Sequence, residues 1–181
     1  MRYVPSVRTL SSLMTGVLFV SFVAYFVHVQ QKKEYAVMCL AENLYHEARG
    51  ELRGHQYLIG MIVIARVTDP SPEWPKTICG AVAQERQFSW VLDHRLATKR
   101  NERKKWEEAQ FVARDLIENA WRAYLLPRGW QCVRWYKRTD GKGVSKAGQT
   151  FFDTRLFPVG QFGRHTAYRS KRGCSSPLPT T

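Results

Sequence analysis

The feature that most constrains the fold is an uncharged run of residues, 10–29, which reads LSSLMTGVLFVSFVAYFVHV. The basic residues that flank it are Arg2, Arg8, Lys32 and Lys33. Its strongly apolar part, residues 13–29, would extend about 25 Å as a helix, close to the roughly 30 Å hydrocarbon core of a bilayer. The run therefore predicts one N-terminal transmembrane helix and confines the rest of the chain to a separate body.

Three interpretations of this run compete. No A-x-A cleavage site precedes Gln30, which counts against a cleaved signal peptide, and the basic flanks count against a buried core helix. An uncleaved signal anchor or signal-arrest segment over residues 1–33 is favoured, with the amino terminus in the cytoplasm. The body is then expected in the periplasm or otherwise outside the cytoplasmic membrane, anchored to the inner membrane or released in soluble form.

Positive charge is the second constraint. The chain has 28 Lys and Arg residues against 15 Asp and Glu in 181 residues, a formal charge of +13. Four of the basic residues lie in residues 1–33, which have no acidic ones, so the body keeps an excess of nine. This surface predicts a polyanionic partner, and nucleic acid, an anionic membrane face and an acidic wall polymer all satisfy it. A charged fraction of 24% with 13% aromatic residues excludes wholesale disorder.

All four cysteines lie in the body, at Cys39, Cys79, Cys132 and Cys174. An even number is compatible with two disulfides in an oxidising compartment, and sequence leaves all possible pairings open. Buried free thiols are the alternative. No C-x-x-C element occurs, which argues against a structural zinc site.

Past residue 33 the pattern is helical first and extended last. Helices are predicted over residues 34–48, 54–68 and 106–125, with a short one from Thr77, and strands over residues 129–137 and 164–169. Residues 140–148 form a polar, glycine-containing loop. The predicted class is α+β: a mainly helical domain over residues 34–172 with a small C-terminal antiparallel sheet, preceded by the transmembrane helix and followed by a tail at 173–181.

The candidates for chemistry surround Glu47. His46 and Glu47 suggest an H-E-x-x-H zinc protease, but Gly50 occupies the place of the second histidine. A G-x-S-x-G element and glycine-rich nucleotide motifs are absent as well. Carboxylate acid–base chemistry remains, because Glu47 ends an apolar helix, where unpaired carbonyls and burial beside Tyr45 would raise its pKa. The alternative is an exposed helix-end carboxylate paired with Arg49.

Several unusual motifs follow one another in an order that is similar to a known family. They are CLAENLYHEARGE at 39–51, GHQYLIGMIVIARV at 54–67, PKTICGAVAQ at 75–84, QFSW at 87–90 and GQFGRHTAYR at 160–169. Together they resemble the SleB/CwlJ-type cell-wall hydrolase family over nearly the whole body.

That resemblance implies a peptidoglycan hydrolase with a lysozyme-like cleft and without a metal or other cofactor. The family's catalytic glutamate is the first in E-A-R-G-E, which is Glu47 here, while Glu51 is expected to fix the loop after the helix, pairing with Arg49 or a backbone amide. The expected reaction is lytic transglycosylation: Glu47 protonates the bond between MurNAc and GlcNAc, then takes the proton of the muramoyl 6-hydroxyl as a 1,6-anhydro ring closes. A hydrolytic muramidase is the alternative and would need a second carboxylate, for which Asp93 and Glu51 are the candidates.

The resemblance also supplies substrate-binding candidates on two parts of the chain. The residues expected to line the sugar cleft or to face Glu47 are Gln87, Ser89, Trp90, Tyr136, His165 and Tyr168. Trp135 and Lys137 stand where many members have histidines on either side of the tyrosine, and Ala65 replaces an asparagine. Substrate contacts of those histidines therefore do not carry over, while the reaction class does.

The predicted anchor and the small size suggest a phage endolysin or a bacterial wall-remodelling enzyme. Its expected partners are peptidoglycan glycan strands and the inner membrane, with the six basic residues from Arg95 to Lys105 as the leading contact on the anionic envelope. Nucleic acid is not an expected partner, and the oligomeric state stays open. A membrane-anchored module without activity, binding wall polymer or nucleic acid, is the alternative from a different class.

Overall fold

The computed structural model describes residues 7–48, 50–84, 102–120, 126–141 and 144–171, without the side chains of residues 7–16 and Arg128. The chain divides into two compact units, Met1–Tyr35 and Ala36–Thr181. The helices are α1 (Val7–Ala48), α2 (Arg53–Thr68), α3 (Ile78–Ala83), α4 (Arg103–Glu118), α5 (Arg128–Gln131) and α6 (Lys146–Arg155). The strands are β1 (Val133–Arg138), β2 (Leu156–Phe162) and β3 (His165–Ser170). The prediction of a mainly helical α+β domain with a small C-terminal antiparallel sheet is confirmed.

The prediction of an N-terminal transmembrane helix is wrong. Among the described residues, no helix combines the length and the apolar content that a bilayer crossing requires. Helix α1 is long, at 42 residues, but glutamines, lysines and a glutamate at positions 30–34 follow its apolar residues within the same helix.

The hydrophobic core of the second unit is built mainly from the predicted amphipathic segments. Its fully buried side chains include Leu40 and Leu44 from α1, Ile59 and Val63 from α2, and Val112 from α4. Helices α2 and α4 approach closely at Gly60, where a Cβ atom would overlap the side chain of Leu116. A side chain at position 60 would therefore require Leu116 to move from its place between the two helices.

Of the short helices, α3 begins where the sequence predicts, whereas α5 occupies the first residues of a predicted strand and α6 was not predicted. Thr77 lies just before α3 and its hydroxyl accepts a hydrogen bond from the Gly80 amide at 3.1 Å, which satisfies one free N–H of the first turn. Ser145 does the same for α6 with the Gly148 amide. The predicted loop at 140–148 therefore overlaps the start of a helix.

The sheet has three strands in the order β1-β3-β2, and both pairs are antiparallel. Strand β2 was not expected, because Pro158 and Gly160 interrupt a strand pattern. Its position at the edge of the sheet accommodates them, and the pairing with β3 shifts register between these two residues. Gly163, at φ +51°, makes the turn into β3, a backbone conformation that favours glycine.

Disulfide bonds connect the described cysteines. Cys39 of α1 is bonded to Cys79 of α3, which joins two helices across a separation of 40 residues. Cys132 is also disulfide-bonded, and its partner lies outside the described residues. The disulfides are those expected of a chain in an oxidising compartment, and no described cysteine is a free thiol.

Candidate active site

Glu47 lies in the last turn of α1, and its side chain is half-buried. One turn earlier on the same face of the helix is Asn43, whose side chain is completely buried. The polar groups from other elements that influence its carboxyl group are Tyr136 of β1 and Arg66 of α2. The core thus holds the end of α1 so that one carboxyl group faces a tyrosine and an arginine.

Burial raises the pKa of Glu47 from its ordinary value of 4.5 to about 7. Hydrogen bonding with Tyr136 and the positive charge of Arg66 act in the opposite direction and keep the pKa from rising further. The sequence-based expectation of a raised pKa is met, although with burial as its main cause. A carboxyl group with a pKa near 7 is ready both to give and to accept a proton at neutral pH.

Tyr136 remains protonated beside this carboxyl group. Burial, followed by the negative charge of Glu47, raises the pKa of the phenol well above its ordinary value. Its ring packs edge-on against His165 at 5.3 Å between ring centroids, and its hydroxyl lies toward Asn43 and Glu47. The phenol can therefore act as a hydrogen-bond donor to an ionised Glu47 but not as a base.

Arg66 is a functional candidate that the sequence did not single out. Its side chain is 2% exposed, its Nε donates to the Arg134 carbonyl oxygen at 2.6 Å, and its guanidinium lies 5.0 Å from the ring centre of Trp74. Burial lowers the pKa of Arg66 to about 10, so it stays charged at neutral pH. One feature of the sequence could have indicated Arg66: it is the single charged residue in the otherwise uncharged part of α2 from Tyr57 to Thr68.

A buried ion pair between Arg134 and Asp69 lies next to Arg66. The Arg134 Nε atom lies 2.9 Å from Asp69 Oδ2, and both side chains are almost completely buried. Arg134 supplies the carbonyl oxygen that accepts from Arg66. Asp69 therefore fixes the position of β1 relative to the end of α2, which in turn orients Arg66.

The carboxylate of Glu51, the second glutamate of E-A-R-G-E, is bound by two basic side chains. Its carboxylate lies 2.7 Å from Arg164 Nε and 3.4 Å from His55 Nδ1. Burial alone would raise its pKa, but the hydrogen bond and charge of Arg164, together with His165 and His55, outweigh burial and lower the pKa. Glu51 thus ties the loop after α1 to Arg164 in the β2–β3 turn and to His55 at the start of α2, whereas the predicted partner Arg49 lies outside the described residues.

The structure brings together some of the predicted substrate-binding residues and separates others. His165 is 4% exposed and lies against both Tyr136 and Phe162, and burial lowers its pKa, so the ring is neutral at pH 7. Tyr168 lies elsewhere: Tyr136 pairs with Ala167, so the next residue along β3 points to the opposite face. There it packs on Phe152, and the Lys137 ammonium lies 5.5 Å from its ring centre.

The remaining predicted residues lie outside the described residues. They are Gln87, Ser89 and Trp90, the muramidase candidate Asp93, the basic residues from Arg95 to Arg100, and Arg49.

The fold and the site define a class of protein. It is a small α+β domain in which a carboxyl group that can transfer a proton lies beside a tyrosine and a buried arginine, an arrangement typical of enzymes that use acid–base catalysis. A family model described as Cell Wall Hydrolase matches residues 50–165. This is more than half of the chain, and the protein therefore belongs to the cell wall hydrolase family, whose activity is the degradation of cell-wall peptidoglycan. The matched range begins just after Glu47 and does not include it.

Two solved structures are similar to this chain. The crystal structure of the catalytic domain of Bacillus cereus SleB has 22% sequence identity and a TM-score of 0.53, covering 74% of this chain and 89% of that one. The catalytic domain of the germination-specific lytic transglycosylase SleB from Bacillus anthracis has 24% identity and a TM-score of 0.47, over 73% and 92% of the two chains. The first likeness shows the shared fold. No curated protein matches the chain.

Proposed function

We propose that the protein is a lytic transglycosylase that cleaves the glycosidic bond between MurNAc and GlcNAc in peptidoglycan, with Glu47 as its general acid and then its general base. The observation that carries this proposal is the half-buried carboxyl group of Glu47 with a pKa of about 7, inside a domain of the cell wall hydrolase family. At that pKa, both protonation states are accessible within one catalytic cycle.

The first step uses the protonated form of Glu47. It donates its proton to the glycosidic oxygen while the bond from that oxygen to C1 of the muramoyl residue breaks, which leaves an oxocarbenium-like centre at C1. The negative charge that appears on Glu47 is stabilised by the hydrogen bond from Tyr136 and by the positive charge of Arg66. Both groups therefore act where charge develops.

The second step returns the proton. The muramoyl 6-hydroxyl attacks C1, its proton passes to the Glu47 carboxylate, and a 1,6-anhydro ring closes. The enzyme ends the cycle with Glu47 protonated again, and no water molecule is consumed.

The state of Glu51 favours this route over hydrolysis. An inverting or retaining hydrolase needs a second carboxylate that is free to activate water or to attack C1. The Glu51 carboxylate is held by Arg164 and His55, with a lowered pKa. A carboxylate fixed in this way is a poor base and a hindered nucleophile, whereas transglycosylation requires Glu47 alone.

The disulfides support a site of action outside the cytoplasm. The Cys39–Cys79 bond and the bonded state of Cys132 fit an oxidising compartment, where the cell wall is also found. We propose the extracytoplasmic space as the location of the active enzyme.

The test compares the full chain with its Glu47→Gln variant on purified peptidoglycan, with the products analysed by mass spectrometry. Glu42→Gln, a change of the same type on the same helix, is the matched control and should remain active. We expect anhydro-muropeptides from the parent and from the control and none from Glu47→Gln.

Each other outcome has a defined meaning. Products that have gained water would indicate a muramidase instead. Equal activity of Glu47→Gln and the parent would refute the role of Glu47, and the absence of cleavage by the parent would favour a binding module.

A further inference from the structure

A cluster of one exposed aromatic ring and two cations lies at one end of the β2–β3 hairpin. Phe157 of β2 is 45% exposed, and its register partner on β3 is Arg169. The Arg169 guanidinium lies 5.5 Å from the ring centre of Phe157, and the Lys171 ammonium lies 5.3 Å from it. We call these three residues the Phe157 cluster.

The Phe157 cluster is separate from the site around Glu47. The turn that contacts Glu51 is at the other end of the hairpin, beyond Phe162. Phe157 and Phe162 are five positions apart along β2, a distance of about 17 Å at 3.3–3.4 Å per residue. The mechanism proposed above uses none of the three residues.

The ring holds both cations in place. A cation over an aromatic face is attracted by the ring quadrupole, which restricts a long and otherwise mobile side chain. Lys171 is further fixed because its Nζ atom donates to the Asp153 carbonyl oxygen at 2.9 Å. This contact uses one of its three protons and leaves the others for a ligand.

No described carboxylate neutralises the cluster. Among the described residues, no salt bridge involves Arg169 or Lys171, whereas Arg134, Arg138 and Arg164, on the same sheet or its turns, are paired with Asp69, Asp140 and Glu51. The nearest acidic side chain along α6, Asp153, accepts instead from the Gln149 amide. The two cations thus present a fixed positive charge next to an apolar ring.

We propose that the Phe157 cluster is a binding subsite for the free carboxylates of the peptide stems on a peptidoglycan strand. A guanidinium pairs with a carboxylate through two parallel hydrogen bonds, a lysine adds a second charge, and the exposed ring edge packs against the apolar part of the stem. The subsite holds the polymer at the end of the sheet away from the Glu51 contact. This proposal rests on the proposed function for the identity of the polymer.

The test measures binding without cleavage. Cosedimentation with insoluble peptidoglycan is compared for Glu47→Gln and for the same variant with Arg169→Gln and Lys171→Gln added. The matched control adds Lys32→Gln and Lys146→Gln, which removes the same net charge from two exposed positions on α1 and α6. Loss of both contacts should weaken binding about tenfold, equivalent to about 1.4 kcal/mol, and the control should bind as before.

A second arm changes the polymer instead of the protein. Peptidoglycan whose carboxyl groups have been amidated should bind Glu47→Gln about as weakly as the cluster variant binds untreated polymer. This arm is independent of any effect of the substitutions on folding. In addition, a variant that carries both Arg169→Lys and Lys171→Arg should retain binding, because it keeps both positive charges.

Three results would overturn the subsite: unchanged binding of the cluster variant, an equal loss in the charge-matched control, or no effect of amidation. An effect that persists on amidated polymer would point to phosphate or to general charge instead. Cleavage by the parent is measured separately, so the proposed function can hold while the subsite fails, and the reverse.

Discussion

Replacement of Glu47 by glutamine should stabilise the protein, and by an amount that depends on pH. The folded state raises the pKa of Glu47 from 4.5 to about 7. A shift of that size corresponds to about 3 kcal/mol, at about 1.4 kcal/mol for each pKa unit. Glutamine has nearly the same shape and no charge to bury, so the variant avoids this cost.

The sign follows from proton binding in the two states. Below pH 4.5 Glu47 is protonated in both the folded and the unfolded chain, and the parent loses nothing. Between pH 4.5 and 7 the folded chain keeps a proton that the unfolded chain releases, so the stability of the parent falls as pH rises. Above pH 7 the full cost is present, and the advantage of Glu47→Gln reaches its maximum.

The assay is denaturant unfolding of the parent and of Glu47→Gln at pH 4, 6 and 8. We expect equal free energies of unfolding at pH 4 and an advantage of about 3 kcal/mol for the variant at pH 8, or about 6–12 °C in melting temperature. Glu73→Gln, which changes an exposed carboxylate, is the control and should stay within about 0.5 kcal/mol at every pH.

One result would refute the reasoning directly. If Glu47→Gln were destabilised at pH 8, or changed stability equally at pH 4 and pH 8, the Glu47 carboxyl group would not be held in a desolvated site. The proposed acid would then lack its physical basis. If the predicted gain is found, the protein sacrifices stability at this position for a residue that the proposed reaction requires.

Three further predictions concern catalysis and stability. The kcat/KM on peptidoglycan should fall as pH rises above about 7, because the acid form of Glu47 is lost; a flat profile up to pH 9 would contradict this. Tyr136→Phe removes a hydrogen bond that favours the carboxylate, so the alkaline limb of that profile should move up by about one pH unit, and an unchanged limb would argue against the contact. Replacing Cys39 and Cys79 together by serine should lower the free energy of unfolding, measured by urea denaturation, by about 4 kcal/mol, because the bond closes a loop of 40 residues. A loss below about 1 kcal/mol would indicate that the bond contributes little.

Local patterns predicted the elements that bury an apolar face. The helices α2 and α4 and the end of α1 follow from apolar residues at helical spacing, and these side chains do form the core. Helix α6 escaped prediction because it contains no fully buried residue, so it has no apolar periodicity to detect. Strand β2 escaped because its Pro158 and Gly160 are tolerated only at the edge of a sheet, and a strand order is not visible in the sequence.

The site was predicted in part for a similar reason. The local motif and the family resemblance predicted Glu47, and the resemblance predicted Tyr136; in the structure Tyr136 lies near enough to Glu47 to lower the pKa of its carboxyl group. Arg66 was missed because its orientation depends on a carbonyl oxygen 68 residues away in the chain. Tyr168 was expected to face Glu47, but the face of a β3 residue is set by its register with β1, which is a property of tertiary structure.

The same register explains why the departures from the family pattern can leave the chemistry intact. Trp135 and Lys137 replace histidines that the resemblance leads one to expect, and both flank Tyr136 on β1, so both point to the face opposite to it. Lys137 lies over the ring of Phe152 at 4.9 Å and donates to Gln149, and Trp135 packs against Trp74. Trp135 is connected to Glu47 only indirectly among the described residues: Trp74, against which it packs, also contacts Arg66, and the charge of Arg66 influences Glu47. Neither departure on β1 therefore changes the side chain that faces the carboxyl group.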